Sequence, residues 1–242
     1  MATAKAFGAR MAQIDLFYDV ASPYSWLAFE TLLRYRNVWQ AEVNLRPFFL
    51  GGVMMSTGNK PPATLPAKLK YMVGDLQRMA KYHGVPVQLL KDRGAMSKTL
   101  DAQRLLTAAS MDSPEDVERL SRELWKRIWG GGGDIATTEG LRAACIDAGL
   151  SEESTGALLD RALSKDVRER LQDVTGEALE RGAFGAPWIT LLKQDVAGEI
   201  EGAKKWISFW GCDRFDLLAN ELGEPYHGPH PPPSSSGSIS QL

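Results

Sequence analysis

Ser22-Pro23-Tyr24-Ser25 is the stretch of this 242-residue chain whose residue types and spacing could do chemistry. Two hydroxyls stand three positions apart, the spacing of a Cys-x-x-Cys redox pair with oxygen where each sulfur would be. Ser22 suits a helix N-cap, and Pro23 suits the first helical position, where its missing N–H does no harm. A helix start of this kind leaves backbone N–H groups free at the positive end of a helix dipole, a combination that holds an anion. Most Ser-Pro pairs ahead of an apolar helix are caps and nothing more, so the motif alone leaves capping and catalysis both open. No Gly-x-Ser-x-Gly elbow surrounds Ser22, which argues against a serine hydrolase.

The other candidates are weaker. His83, His227 and His230 show no ligand spacing, so no metal site is expected. Gly130-Gly131-Gly132-Gly133 lacks the Gly-Lys-Ser/Thr of a phosphate loop and reads as a connection. Cys145, inside Leu141-Arg142-Ala143-Ala144-Cys145-Ile146, reads as a small buried hydrophobe. Trp26, Trp125 and Trp129 fall at helical spacing and read as core. Tyr24 has two readings, helix-start packing and a donor beside the anion.

These residues need elements to hold them. Ile14–Val20 reads as a strand and Leu27–Tyr35 as the helix after the Ser-Pro turn; Glu42–Leu50 reads as a second strand, which makes a parallel βαβ start. Gly51–Pro66 reads as a glycine- and proline-rich loop. A helical region follows to about Arg181, including a helix opened by Ser113-Pro114 whose Val117, Leu120, Leu124, Trp125 and Ile128 form an apolar face. Ser164 starts another helix that Gly182 can end. Pro187–Leu192 and Lys205–Trp210 read as a hairpin, with a long connection between Lys193 and Lys204. Gly211-Cys212-Asp213 is expected to open a last helix, Arg214–Leu222. Together these make an α/β protein, a thioredoxin-like fold with a large helical insertion. Its expected parts are an N-terminal extension (1–13), a discontinuous thioredoxin-like domain (14–55 and 183–225), the insertion (56–182) and a disordered Pro/Ser-rich tail (226–242). In a thioredoxin-like fold the Ser22 turn is the place of the Cys-x-x-Cys pair. With hydroxyls there, the reactive sulfur would come from a ligand.

Composition is that of an ordinary globular chain, 44% hydrophobic and 24% charged. A net charge of −2 supplies no field for nucleic acid, and no apolar run reaches membrane-span length. Two distant cysteines, Cys145 and Cys212, argue against a disulfide framework. Met1–Arg10 carries Lys5 and Arg10 without an apolar h-region, so it is not a secretory signal; a minimal matrix-targeting stretch is an alternative to an untidy terminus. Ser240-Gln241-Leu242 is a loose relative of the peroxisomal Ser-Lys-Leu address.

Several ordered segments carry a resemblance: Phe17-Tyr18-Asp19-Val20-Ala21-Ser22-Pro23-Tyr24-Ser25-Trp26, Ser56-Thr57-Gly58-Asn59-Lys60-Pro61-Pro62, Ser121-Arg122-Glu123-Leu124-Trp125 and Gly182-Ala183-Phe184-Gly185-Ala186-Pro187. From Ile14 to about Pro229 the chain resembles kappa-class glutathione transferases, the related 2-hydroxychromene-2-carboxylate isomerases and, more remotely, DsbA. The resemblance implies a DsbA-type insertion, a homodimer, and residence in mitochondria or peroxisomes. It implies that Ser22 hydrogen-bonds the sulfur of glutathione, a co-substrate, without a metal. Ala186-Pro187 would be a cis bond whose Ala186 main chain pairs with the glutathione cysteinyl group. Asn59 and Lys68 would lie at the glycyl end, and Cys212 and Asp213 at the γ-glutamyl end, where the family usually has Ser-Asp. Tyr24 would stand beside the sulfur. The implied activity is conjugation of glutathione to small electrophiles, with hydroperoxide reduction as an extension. A glutathione-dependent isomerase and a non-catalytic thioredoxin-like binding or chaperone module are the alternatives. If Cys212 starts the last helix, the helix dipole should acidify it and open it to oxidation.

Overall fold

The computed structural model describes residues 12–88, 98–193 and 205–232. β1 (Gln13–Tyr18) leads through the Ser22 turn into α1 (Pro23–Tyr35), and β2 (Glu42–Pro47) follows. α2 (Leu50–Thr57), a single 3-10 turn at Pro62–Thr64 and α3 (Pro66–His83) come next. The insertion continues with α4 (Leu100–Asp112), α5 (Pro114–Trp129), α6 (Thr138–Asp147), α7 (Glu152–Ala162) and α8 (Lys165–Glu180). β3 (Trp188–Lys193), β4 (Lys205–Trp210) and α9 (Phe215–Leu222) complete the order. The strands form one sheet in the order β2-β1-β3-β4. β1 pairs parallel with β2 and antiparallel with β3, which pairs antiparallel with β4. This is a thioredoxin-like sheet with helices inserted between its two halves.

The pleat sorts β1 into two faces. Ile14, Leu16 and Tyr18 join the large core with α1, α4, α5 and α9. Phe17 turns to the other side, where Phe48, Val53, Val174, Ala178 and Trp188 pack. Side chains of a strand alternate between faces, so one six-residue strand anchors both layers. Asp15 shares the Phe17 face; it is fully buried and ion-paired to Arg181 at 2.7 Å.

Three expectations are corrected. The second strand ends at Pro47 rather than Leu50, and α2 occupies much of the stretch read as loop. Gly51 and Gly52 weaken a helix locally, but Leu50 and Val53 are buried against the sheet side and outweigh them. The expected domain boundary at 55/56 therefore falls inside α2. Residues 227–229 of the expected disordered tail are tied to the body: Tyr35 Oη accepts from the His227 N–H (2.9 Å) and donates to the Gly228 carbonyl (2.9 Å), and Arg34 donates to that of Pro229 (3.1 Å). These are bonds to the tail's main chain, which its apolar-poor composition does not reveal. The N-terminal extension up to residue 11, the connection 194–204 and the terminal Ser-Gln-Leu lie outside the described residues.

Candidate active site

Ser22 is held from four directions. Its N–H donates to the Asp19 carbonyl (3.0 Å), closing the turn after β1. Its own carbonyl accepts from Trp125 Nε1 (3.3 Å), and Trp129 Nε1 braces the Val20 carbonyl (3.0 Å). Both tryptophans are core residues, as their spacing in α5 suggests. Ser22 caps α1, with Oγ accepting from the Ser25 N–H (3.1 Å) and Pro23 in the first turn. The same Oγ donates to the Ala186 carbonyl at 3.3 Å, a long bond. The Ala186-Pro187 peptide is cis, and Pro187 is buried. Backbone from two distant segments thus meets around one hydroxyl at a helix N-terminus.

The neighbouring residues form a rim around that point. The Gly211 N–H donates to the Pro187 carbonyl (3.2 Å), which brings Gly211-Cys212-Asp213 alongside the cis bond. Gly211 has φ of 109° and the Asp213 carboxylate folds back over it, a conformation closed to a side chain. Asn59, just after the left-handed Gly58 that ends α2, donates Nδ2 to the Phe184 carbonyl (2.6 Å). Tyr24 is half-buried on α1 and donates Oη to Asp75 of α3 (3.2 Å). Burial and then the Asp75 charge push the Tyr24 phenol up, so it stays a protonated donor. Lys68 is exposed on the first turn of α3, and among the described residues no hydrogen bond or ion pair ties it to the others.

Cys212 departs from expectation. α9 begins at Phe215 with Arg214 at the cap, so Cys212 precedes the helix rather than opening it. The thiol is buried, and burial followed by the Asp213 charge pushes it up to about 12. It is a protonated, shielded thiol, and the expected acidified cysteine is overturned. Cys145 is likewise buried and pushed up to about 11, mainly by burial.

Two residues that the sequence reading passed over matter here. Asp75 is felt electrostatically by both Tyr24 and Cys212, which places a carboxylate at this corner of the rim. Nothing local marked it, since an acid on an amphipathic helix is ordinary. Asp19 lies under the Ser22 turn, fully buried. An acid inside the apolar run Phe17-Tyr18-Asp19-Val20 was the available signal. Among the described residues no group of three or more His, Cys, Asp or Glu could hold a metal, and no helix is long and apolar enough to cross a membrane.

Comparison with known proteins agrees with this geometry. Residues 13–223 match the family of DSBA-like thioredoxin domains. Glutathione S-transferase kappa 1 of Homo sapiens is 40% identical over 222 residues, covering 90% of this chain and 94% of that protein. A 2-hydroxychromene-2-carboxylate isomerase of Sphingobium xenophagum is 28% identical, covering 86% of this chain and 97% of that one. A solved 2-hydroxychromene-2-carboxylate isomerase superposes with a TM-score of 0.66 at 22% identity over 87% of this chain and 94% of its own, a likeness of fold. With a DSBA-like domain spanning its sheet and insertion and 40% identity across nearly its whole length, the chain belongs to the kappa class of glutathione S-transferases.

Proposed function

We propose that the protein binds glutathione, ionises its thiol at Ser22 and transfers the thiolate to small electrophiles. The observation that carries this reading is Ser22 Oγ, anchored as acceptor by the Ser25 N–H while its proton makes only a 3.3 Å bond to the Ala186 carbonyl. That weak bond is easily exchanged for a sulfur anion, and the cap bond keeps the oxygen in place during the exchange. The Ala186 main chain is then free to pair with the cysteinyl backbone of the ligand.

Magnitudes support the role. A free thiol has a pKa of about 8.5, and lowering it by about two units takes somewhat under 3 kcal/mol. A hydroxyl donating to a charged acceptor supplies about 1.5–3 kcal/mol. The α1 N-terminus adds about 0.3–1 kcal/mol, and more in partly buried geometry. Ser22 is therefore a donor to sulfur and not itself a nucleophile. In the transfer the thiolate forms a C–S bond to the electrophile, the leaving group departs with the bonding pair, and the thiol proton has already gone to solvent. On a hydroperoxide the same thiolate attacks the distal oxygen; the O–O bond breaks and the alkoxide takes up a proton, leaving a glutathione sulfenic acid.

The rim suits the rest of the tripeptide. Asp213 is exposed beside the Cys212 backbone and fits the γ-glutamyl ammonium, with Asp75 as a second carboxylate; Asn59 and Lys68 fit the glycyl carboxylate. An isomerase would use the same thiolate by addition and elimination. The homodimer and the mitochondrial or peroxisomal setting belong to the proposal through the family relationship.

The test is thiolate absorbance of the glutathione complex across pH, followed by conjugation to an aryl halide. Wild type should show a bound thiol pKa about two units below the free value. Ser22→Ala should keep the fold, losing about 1 kcal/mol of cap, and return the thiol towards its free pKa. An unchanged bound pKa in Ser22→Ala would remove the role. Binding without conjugation or isomerisation would favour the non-catalytic module.

A further inference from the structure

Asp19 is a buried carboxylate at the junction of three segments, and the reaction as described does not use it. One oxygen, Oδ1, accepts from the Ala21 N–H at 2.9 Å, and the Asp19 carbonyl accepts from Ser22. Side chain and main chain of one residue thus shape the turn that delivers Ser22 to its cap position. The other oxygen, Oδ2, accepts from the Leu50 N–H at 2.9 Å. Leu50 is the first residue of α2, whose own N-cap position, Phe49, offers no side-chain cap. Asp19 supplies that cap from across the sheet end. Burial pushes the Asp19 carboxyl up, and the Thr99 and Gln103 side chains at the start of α4 work against that rise. Thr99 occupies the α4 N-cap position without a side-chain cap bond.

The two segments gripped by the carboxylate carry the two ends of the site. One ends at Ser22. The other, α2, ends at Gly58 and Asn59, whose side chain holds the Phe184 carbonyl two residues before Ala186. Among the described residues Asp19 makes no ion pair, so the two backbone N–H bonds from Ala21 and Leu50 are what hold its oxygens in place.

We propose that Asp19 is a positioning residue that presets the Ser22 donor and the Asn59 segment together, so that the sulfur site and the glycyl-end site are assembled before glutathione arrives. Its catalytic consequence rests on the glutathione reading above; its structural consequence rests on the hydrogen bonds alone. Asparagine at this position keeps the shape but sets an amide N–H₂ against one of the two backbone donors, whichever way it is turned. One of the two segments must then give way.

The experiment compares Asp19→Asn and Asp19→Ala with Leu158→Ala, a destabilising control in α7, all in the full chain. Amide hydrogen exchange is read at peptides covering residues 19–27 and 50–60, and bound-thiol pKa, kcat and KM for glutathione are read alongside. The expected result is faster exchange than in the control at both peptides, a raised bound-thiol pKa, and a fall of about tenfold to hundredfold in kcat/KM. Because Asp19 acts through Ser22, adding Asp19→Asn to Ser22→Ala should leave the bound-thiol pKa where Ser22→Ala alone sets it. Control-like exchange at both peptides overturns the proposal, as does a wild-type thiol pKa in Asp19→Asn. If wild type itself does not ionise glutathione, the functional reading fails and the exchange data still decide the role of Asp19. Should both Asp19 variants fail to fold, Thr99→Val removes a side chain that favours the charged carboxyl, and the same two peptides should then exchange faster to a smaller degree; no change there overturns the proposal.

Discussion

Ser22 and Ser25 share one motif and have opposite environments. Ser22 Oγ both accepts and donates, whereas Ser25 Oγ is buried with no hydrogen-bond partner among the described residues. A buried hydroxyl without a hydrogen bond is unfavourable, so Ser25→Ala should be neutral or stabilise the fold by up to about 1 kcal/mol. Chemical denaturation checks this. A loss above about 1 kcal/mol would mean that Ser25 Oγ finds a partner in solution. Its backbone N–H, which anchors Ser22, survives the change, so turnover should stay within about twofold. Cys212 gives a second prediction at this scale. With its thiol buried and pushed up to about 12, it should resist alkylation by iodoacetamide at neutral pH in the native protein and react once unfolded. Rapid native alkylation of Cys212 would show that its corner of the rim opens.

At the scale of elements, one ionic layer joins α8 to the sheet. Arg181, just past the end of α8, donates to Asp15 of β1 (2.7 Å) and Thr190 of β3 (2.8 Å), and pairs with Glu177. Its guanidinium lies 3.5 Å from the centre of the Trp206 ring on β4. Ser208 in turn donates to the Arg181 carbonyl (3.1 Å). Five residues later the chain reaches Ala186, so this layer fixes where the cis-proline segment starts. Removing Arg181 would leave the buried Asp15 with hydrogen bonds from Gln13 and Asn44 to Oδ1 and only the longer 3.6 Å ion pair of Arg46 at Oδ2. Arg181→Ala should therefore cost about 3–5 kcal/mol, measured by denaturation. Arg181→Lys should recover part of that stability but not the ring stacking. A loss under about 1 kcal/mol would mean that water reaches Asp15 and the layer is not dry.

Legibility in the sequence follows the same division between local and distant causes. β1, the Ser22 cap and β4 were readable because their causes are local: alternation, a cap residue, a proline. α2 was not readable, because its cap comes from Asp19 in the turn after β1 and its glycines argue locally for a loop. At the site, Ser22 and Ala186-Pro187 were visible as motifs. Asp75 became visible only through its neighbours Tyr24 and Cys212, which reach it from other parts of the chain.

For the molecule as a whole, the last described segment closes the fold. Residues 226–232 cross the ends of α1 and α3, held by Tyr35, Arg34 and the stacking of Tyr226 on Phe215. Beneath them lies His83, 1% exposed. Thr31 Oγ1 uses its one proton on the Leu27 carbonyl (2.8 Å), so its 2.9 Å contact with His83 must be a bond donated by Nδ1–H. That fixes the neutral tautomer with Nε2 bare. Burial, then the charges of Arg34 and His230, push the imidazole down to about 4. The unfolded value is about 6.5, so between about pH 6.5 and pH 4 the unfolded chain binds the extra proton. His83 therefore destabilises the fold as pH falls through that window and leaves it unaffected above. Thermal midpoints should drop from pH 6.5 to 4.5, and the drop should be shallower in His83→Gln, which can still donate to Thr31. The same titration should loosen the segment first, because Arg34 holds both the His83 and the Pro229 carbonyls. Hydrogen exchange at residues 225–232 should accelerate in wild type at pH 5 and not in His83→Gln. Equal pH slopes for the two proteins would show that His83 does not couple this segment to the core.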